Sequence, residues 1–177
     1  MSRPRTGAPR RGFVHVYTGD GKGKTTAAFG LALRASGAGL RVYIGQFLKR
    51  GRFSEVKAVG ALQRVTLEQF GRPGFVRTPP GEEHCRAARW GLAAVAAALT
   101  SGRFDVVIAD ELCTAVMAKV AAADSVMRLI ALRPPGVELV LTGRGAPSRV
   151  KRAADLVTEM RKHYFARGVK ARKGIEF

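Results

Sequence analysis

The sequence predicts an α/β domain of three layers, with a mainly parallel sheet between helices, and three observations predict it. Short apolar, β-branched runs alternate with helix-forming stretches along the whole chain. The glycine-rich stretch GDGKGKTT, Gly19 to Thr26, stands between one such run and an Ala-rich one. Further on, the run DVVIADE, Asp105 to Glu111, is an apolar strand that ends in two carboxylates.

In order, residues 1–12 hold two Pro and four Arg without apolar periodicity and read as a disordered basic arm; residues 13–177 then form one P-loop (RecA-like) domain with a basic tail. FVHVYT (13–18) is a buried strand, TTAAFGLALRAS (25–36) a helix, and GAG (37–39) its stop. RVYIGQF (41–47) is the next strand, so the first three elements make a βαβ unit with a right-handed crossover. A short helix over 54–59 and an alternating strand over 62–69 follow. Residues 71–81, GRPGFVRTPPG, hold three Pro and three Gly and make a long loop, the kind of segment that handles substrate beside the carboxyl edge of a sheet.

Residues 82–100 form a helix with acids in its first turn, where the helix dipole favours them. After the strand over 105–111 comes a helix over 124–132, stopped by Pro134 and Pro135, then a core strand VELVL (137–141) running into TGRGAP. A helix over 147–154 and a short strand over 155–160 complete five or six strands.

The 177 residues are 46% hydrophobic, enough for a core of one domain's size. No run is long enough to span a bilayer and no apolar signal core is present, so a soluble, cytoplasmic protein is expected. Cys85 and Cys113 have neither zinc-ligand nor disulfide spacing and read as reduced packing residues. The 31 Lys and Arg against 13 Asp and Glu leave a net charge of +18. Residues 1–12 carry four Arg and residues 161–177 six Lys or Arg with one Glu, so half of the excess is terminal and nucleic acid is not the expected partner.

GDGKGKTT is a phosphate cradle by its context. Strand, glycine turn and helix N-terminus aim backbone N–H groups and a positive dipole end at one point. Gly19, Gly21 and Gly23 let the backbone approach an anion, Lys24 meets the outer phosphates, and the Thr25 hydroxyl is placed to ligate Mg²⁺. The motif departs from GxxxxGK[ST], because Thr18 stands where its first glycine belongs, and Lys22 adds a second cation. The carboxylates Asp110 and Glu111 fit beside such a loop, where one of them holds Mg²⁺ directly or through water. These residues license phosphate chemistry without fixing which bond breaks; the alternative reading is a basic P-loop ATPase or small kinase acting on nucleic acid or a phosphorylated metabolite, for which no arginine-rich lid and no base for water is identified.

Taken together, VYTGDGKGKTTAAFGLALRASGAGLRV, DVVIADEL, VELVLTGRGAP, ADLVTEM and KGIEF resemble the corrinoid adenosyltransferases of the P-loop type, from about Val14 to Phe177. The resemblance implies that a Co(I) corrinoid attacks the ribose C5′ of ATP, forming a carbon–cobalt bond and expelling triphosphate. It implies that Gly19, Asp20, Gly21, Lys22, Gly23, Lys24, Thr25 and Thr26 hold the phosphates, in reversed order relative to ordinary P-loop enzymes. It also places Arg34 near the nucleoside, Thr25 and Glu111 at Mg²⁺, and Asp110 just behind them. Phe75 matches an aromatic that displaces the lower ligand of the corrin and so eases reduction to Co(I), whereas the second aromatic position holds Arg77. A homodimer and an electron donor such as a flavoprotein reductase are further implications.

Overall fold

The computed structural model describes residues 11–51, 53–72, 76, 79–164 and 172–175. Six strands form one sheet in the order β3-β2-β4-β5-β1-β6, and every neighbouring pair is parallel. The strands are β1 (Val14–Thr18), β2 (Val42–Phe47), β3 (Val65–Phe70), β4 (Val106–Asp110), β5 (Glu138–Thr142) and β6 (Leu156–Glu159). The helices are α1 (Lys24–Gly37), α2 (Ser54–Gly60), α3 (Glu82–Thr100), α4 (Leu112–Met117), α5 (Ala123–Leu132) and α6 (Ser148–Ala153).

The alternation of elements read from sequence therefore stands. A sheet whose central strands are covered on both faces needs apolar residues at successive positions, and β2 and β4 are buried at every one. Two cores result. One packs Phe29, Ala32 and Ala35 of α1 on Val42, Ile44, Ile108 and Val140. The other packs α3 and α5 on Tyr43, Phe47, Val107, Leu139 and Leu141.

Some boundaries differ from expectation. β3 starts at Val65 rather than residue 62, because Leu62 accepts the N–H of Val65 in a turn that leads into the strand. The helix α4 is an addition: the chain turns sharply at Glu111, which adopts a left-handed conformation with φ 61°, and winds directly into LCTAVM. The expected strand thus ends at Asp110, and the two carboxylates part company. Gly12, at the end of the basic stretch, donates to the Pro135 carbonyl and accepts from Arg133. Both cysteines are free thiols, and burial pushes the Cys113 thiol up to about 12.

Among the described residues, no helix is long and apolar enough to cross a membrane.

Candidate active site

The phosphate loop is shaped by its neighbour on the edge of the sheet. Met160, just past β6, donates its N–H to the Thr18 carbonyl and accepts the N–H of Gly21 at 2.7 Å. A Cβ on Gly19 would lie 2.4 Å from the Met160 oxygen, and one on Gly21 would lie 2.7 Å from it. Only glycine lets the loop pass this close. Asp20 accepts the Lys162 N–H at 3.3 Å, and that bond holds its carboxyl below the usual range.

Gly23 caps α1 without a side chain, so the first-turn N–H groups of a 14-residue helix have no side-chain acceptor. With the helix dipole, such open donors are able to receive an anion. Lys24 is buried and spends two of its three ammonium donors on the loop itself, at Gly19 O (2.8 Å) and Gly21 O (2.6 Å). Burial pushes its pKa below the usual lysine value, while the charge of Glu111 pulls it back up.

Behind the loop, Asp110 is fully buried and accepts three hydrogen bonds. Its Oδ1 accepts from Thr25 Oγ1 at 2.9 Å and Thr142 Oγ1 at 2.7 Å, and its Oδ2 accepts from Gln46 Nε2 at 3.0 Å. A hydroxyl has one proton and two lone pairs. With the proton committed to Asp110, Thr25 keeps its lone pairs for another partner.

Glu111 has a different position. The left-handed turn brings it to the cleft, where its N–H donates to Thr142 Oγ1 at 2.9 Å and its carboxylate accepts from Thr114 Oγ1. Thr114 in turn accepts the Arg144 N–H at 2.9 Å, which ties the TGRG loop to the acid.

A cleft of about 770 Å³ joins these parts. Gly21 to Thr26, Glu111, Lys49 and Arg144 supply its polar wall, and Phe29, Leu33, Val59 and Leu62 an apolar one. Arg34 is exposed on α1 and outside this lining. Phe75 and Arg77 lie outside the described residues. Residues 172–175 return to the cleft, with Gly174 and Ile175 on its rim.

Sequence reasoning gave no site role to Gln46, Gln69, Thr114, Thr142 or Arg144. Thr142 and Arg144 stand in the TGRGAP stretch, and Gln46 is a lone polar residue in an otherwise apolar strand.

A parallel sheet, a glycine-rich loop at its carboxyl edge and a helix N-terminus behind that loop define a P-loop nucleotide-binding protein. Residues 10–177 match the family model of the ATP:corrinoid adenosyltransferases BtuR/CobO/CobP. The chain belongs to that family. It is 35% identical over 173 residues to the corrinoid adenosyltransferase of Escherichia coli (strain K12), a match covering 94% of this chain and 86% of the relative. It is 34% identical over 171 residues to the corrinoid adenosyltransferase of Pseudomonas aeruginosa, covering 94% and 84%. The corrinoid adenosyltransferase CobA of Salmonella typhimurium is 35% identical over 176 residues, again covering 94% of this chain and 86% of its own.

Proposed function

We propose that this protein transfers the 5′-deoxyadenosyl group of ATP to the Co(I) of a corrinoid in the cytoplasm, releasing triphosphate, as a step of adenosylcobalamin formation. The observation that carries the reading is the cleft: a phosphate loop with a buried lysine opens directly onto an apolar wall. The cobalt electron pair forms a bond to C5′, and the C5′–oxygen bond breaks with its pair going to triphosphate. Such a nucleophile needs no base. The protein's part is to align C5′ with cobalt and to receive negative charge on the leaving group.

Lys24 and the first-turn N–H groups of α1 are the groups for that charge, with Lys22 and Arg144 at the mouth of the same cleft. Asp20 and Thr26 flank them, and Arg34 belongs to the nucleoside end of the proposal.

The donor set suits Mg²⁺, which takes oxygen ligands from one or two side chains and completes its shell with phosphates and water. Thr25 and Glu111 are the residues to hold it, and Asp110, with both oxygens engaged, orients Thr25 from behind. When bound, the ion adds positive charge at the triphosphate. Glu111→Gln is therefore expected to raise the Mg²⁺ concentration for half-maximal activity more than Asp110→Asn does. The Asp110→Asn change keeps an acceptor for Thr25, while the Gln46 and Gln69 amides turn over and the donor mismatch falls at the exposed Gly51 N–H, away from the ion. Titrating activity against Mg²⁺ checks this, and the opposite ordering would move the ligand to Asp110.

Phe75 is proposed to act on the corrin. Phe75→Ala should cost much more activity when the assay starts from Co(II) with a mild reductant than when Co(I) is supplied, with ATP affinity unchanged. Equal losses in the two assays would make it a packing residue. A homodimer and a flavoprotein-type reductant complete the proposal, on resemblance to the family.

The deciding assay combines the protein, ATP, Mg²⁺ and a chemically reduced corrinoid. Adenosylcobalamin and triphosphate are the expected products. ADP and phosphate would instead indicate the ATPase or kinase reading.

A further inference from the structure

A hydrogen-bonded line crosses the sheet and ends on Asp110. The Gly51 backbone N–H donates to Gln69 Oε1 at 3.1 Å, Gln69 Nε2 donates to Gln46 Oε1 at 2.8 Å, and Gln46 Nε2 donates to Asp110 Oδ2 at 3.0 Å. A carboxylate only accepts, so Asp110 dictates which way the Gln46 amide faces. Gln46 then presents an oxygen to Gln69, and Gln69 presents an oxygen that needs a donor, which the Gly51 N–H supplies. The line has one polarity from end to end. It connects β4, β2, β3 and the loop between β2 and α2.

Stability does not call for such an arrangement. Gln46 is fully buried in a strand of otherwise apolar packing, where an aliphatic side chain would need no partner. The two ends of the line suggest its use. At one end, Asp110 fixes the Thr25 hydroxyl; at the other, Gly51 belongs to the loop that carries Lys49 and leads to Ser54 and Glu55 on α2. All of these except Asp110 and Gly51 line the nucleotide cleft.

We infer that Gln46 and Gln69 are positioning residues for the nucleotide, which set Thr25 through Asp110 and tie the loop bearing Lys49 to the same carboxylate. ATP binding and the placement of that loop are thereby coupled. This rests on the cleft being the ATP site, but not on the transfer to cobalt, and the test needs no corrinoid.

Two quantities are measured on the full chain with ATP and Mg²⁺: the dissociation constant by calorimetry, and the rate of tryptic cleavage after Lys49 and Arg50. In the natural sequence ATP should protect those bonds. Gln69→Met, similar in size but unable to hydrogen-bond, should weaken ATP binding by about fivefold, the worth of roughly one net hydrogen bond, and should relieve the protection. Gln46→Met should do the same, and the double variant should be no worse than Gln46→Met alone, since both cut one line.

Gln69→Glu tests the polarity. It can only accept, so it turns the Gln46 amide round and sets its oxygen against Asp110; a greater loss than in Gln69→Met is expected. Gln69 is only partly buried, so its two variants decide the matter if Gln46→Met fails to fold. ATP affinity and protection unchanged in Gln69→Met, losses that multiply in the double variant, or no ATP protection in the natural sequence would each overturn the inference. Failure of adenosyl transfer with these binding results intact would overturn only the proposed reaction.

Discussion

Lys24→Ala is expected to lower turnover about a hundredfold at saturating ATP, the usual loss when one donor to a developing anion is removed. Breaking the C5′–oxygen bond adds charge to the triphosphate, so a cation at that group is worth more in the transition state than in the ground state. Burial sharpens the effect, because a poorly solvated ammonium interacts more strongly than one in water. Lys24 also spans the loop through the Gly19 and Gly21 carbonyls, and its loss should raise the KM for ATP as well. The measurement is steady-state turnover with Co(I) supplied chemically, over a range of ATP concentrations. A variant with full turnover at saturating ATP would remove Lys24 from the reaction, and one altered in KM alone would make it a residue of ground-state binding.

Asp110→Ala is expected to act on the fold as well as on the site. The substitution leaves the buried Gln46 amide without its acceptor and strips Thr25 and Thr142 of theirs. An unsatisfied buried donor costs about 1–3 kcal/mol, and hydrogen bonds to a charged group are at the strong end of the scale. A total near 3 kcal/mol corresponds to a fall in Tm of roughly 6–12 °C for a domain of this size. ATP binding should fall with it, since Thr25 loses its fixed hydroxyl. Thermal unfolding and calorimetric ATP binding check the two effects. A Tm unchanged within about 2 °C would show that the donors find other partners and that Asp110 is not the anchor of the network.

Local signals carried the fold and the heart of the site into the sequence, and features that depend on neighbouring strands stayed hidden. The phosphate loop is legible because all of its parts lie between residues 18 and 26, and each has its own reason to be there. The residues alone showed the carboxylates as a pair, and their two roles came only from resemblance. DVVIADE reads as one strand ending in two adjacent acids, and the left-handed turn at Glu111 that separates them leaves no mark on periodicity. The same turn hid α4, whose six residues are too few for a helical pattern to show.

The Gln69–Gln46–Asp110 line needs the strand order β3-β2-β4, and alternation of elements gives parallel strands without their order. Thr142 and Thr114 are likewise ordinary residues until β5 and α4 are laid beside β4. Arg34 was carried by resemblance alone, and the structure puts it on an exposed face of α1.

The closeness of Met160 to Gly19 and Gly21 bears on how the protein is made. The phosphate loop leaves the ribosome well before the backbone that shapes it; Asp20 and its partner Lys162 are 142 residues apart. At ordinary elongation rates that gap lasts on the order of ten seconds. During it the loop is a run of glycines without its wall, and β1 still lacks both of its neighbours in the sheet, β5 and β6. Such late, distant pairings also make for slow folding. A nascent chain is thus unable to hold nucleotide in its finished site, and the capacity to bind ATP marks a chain whose sheet has closed.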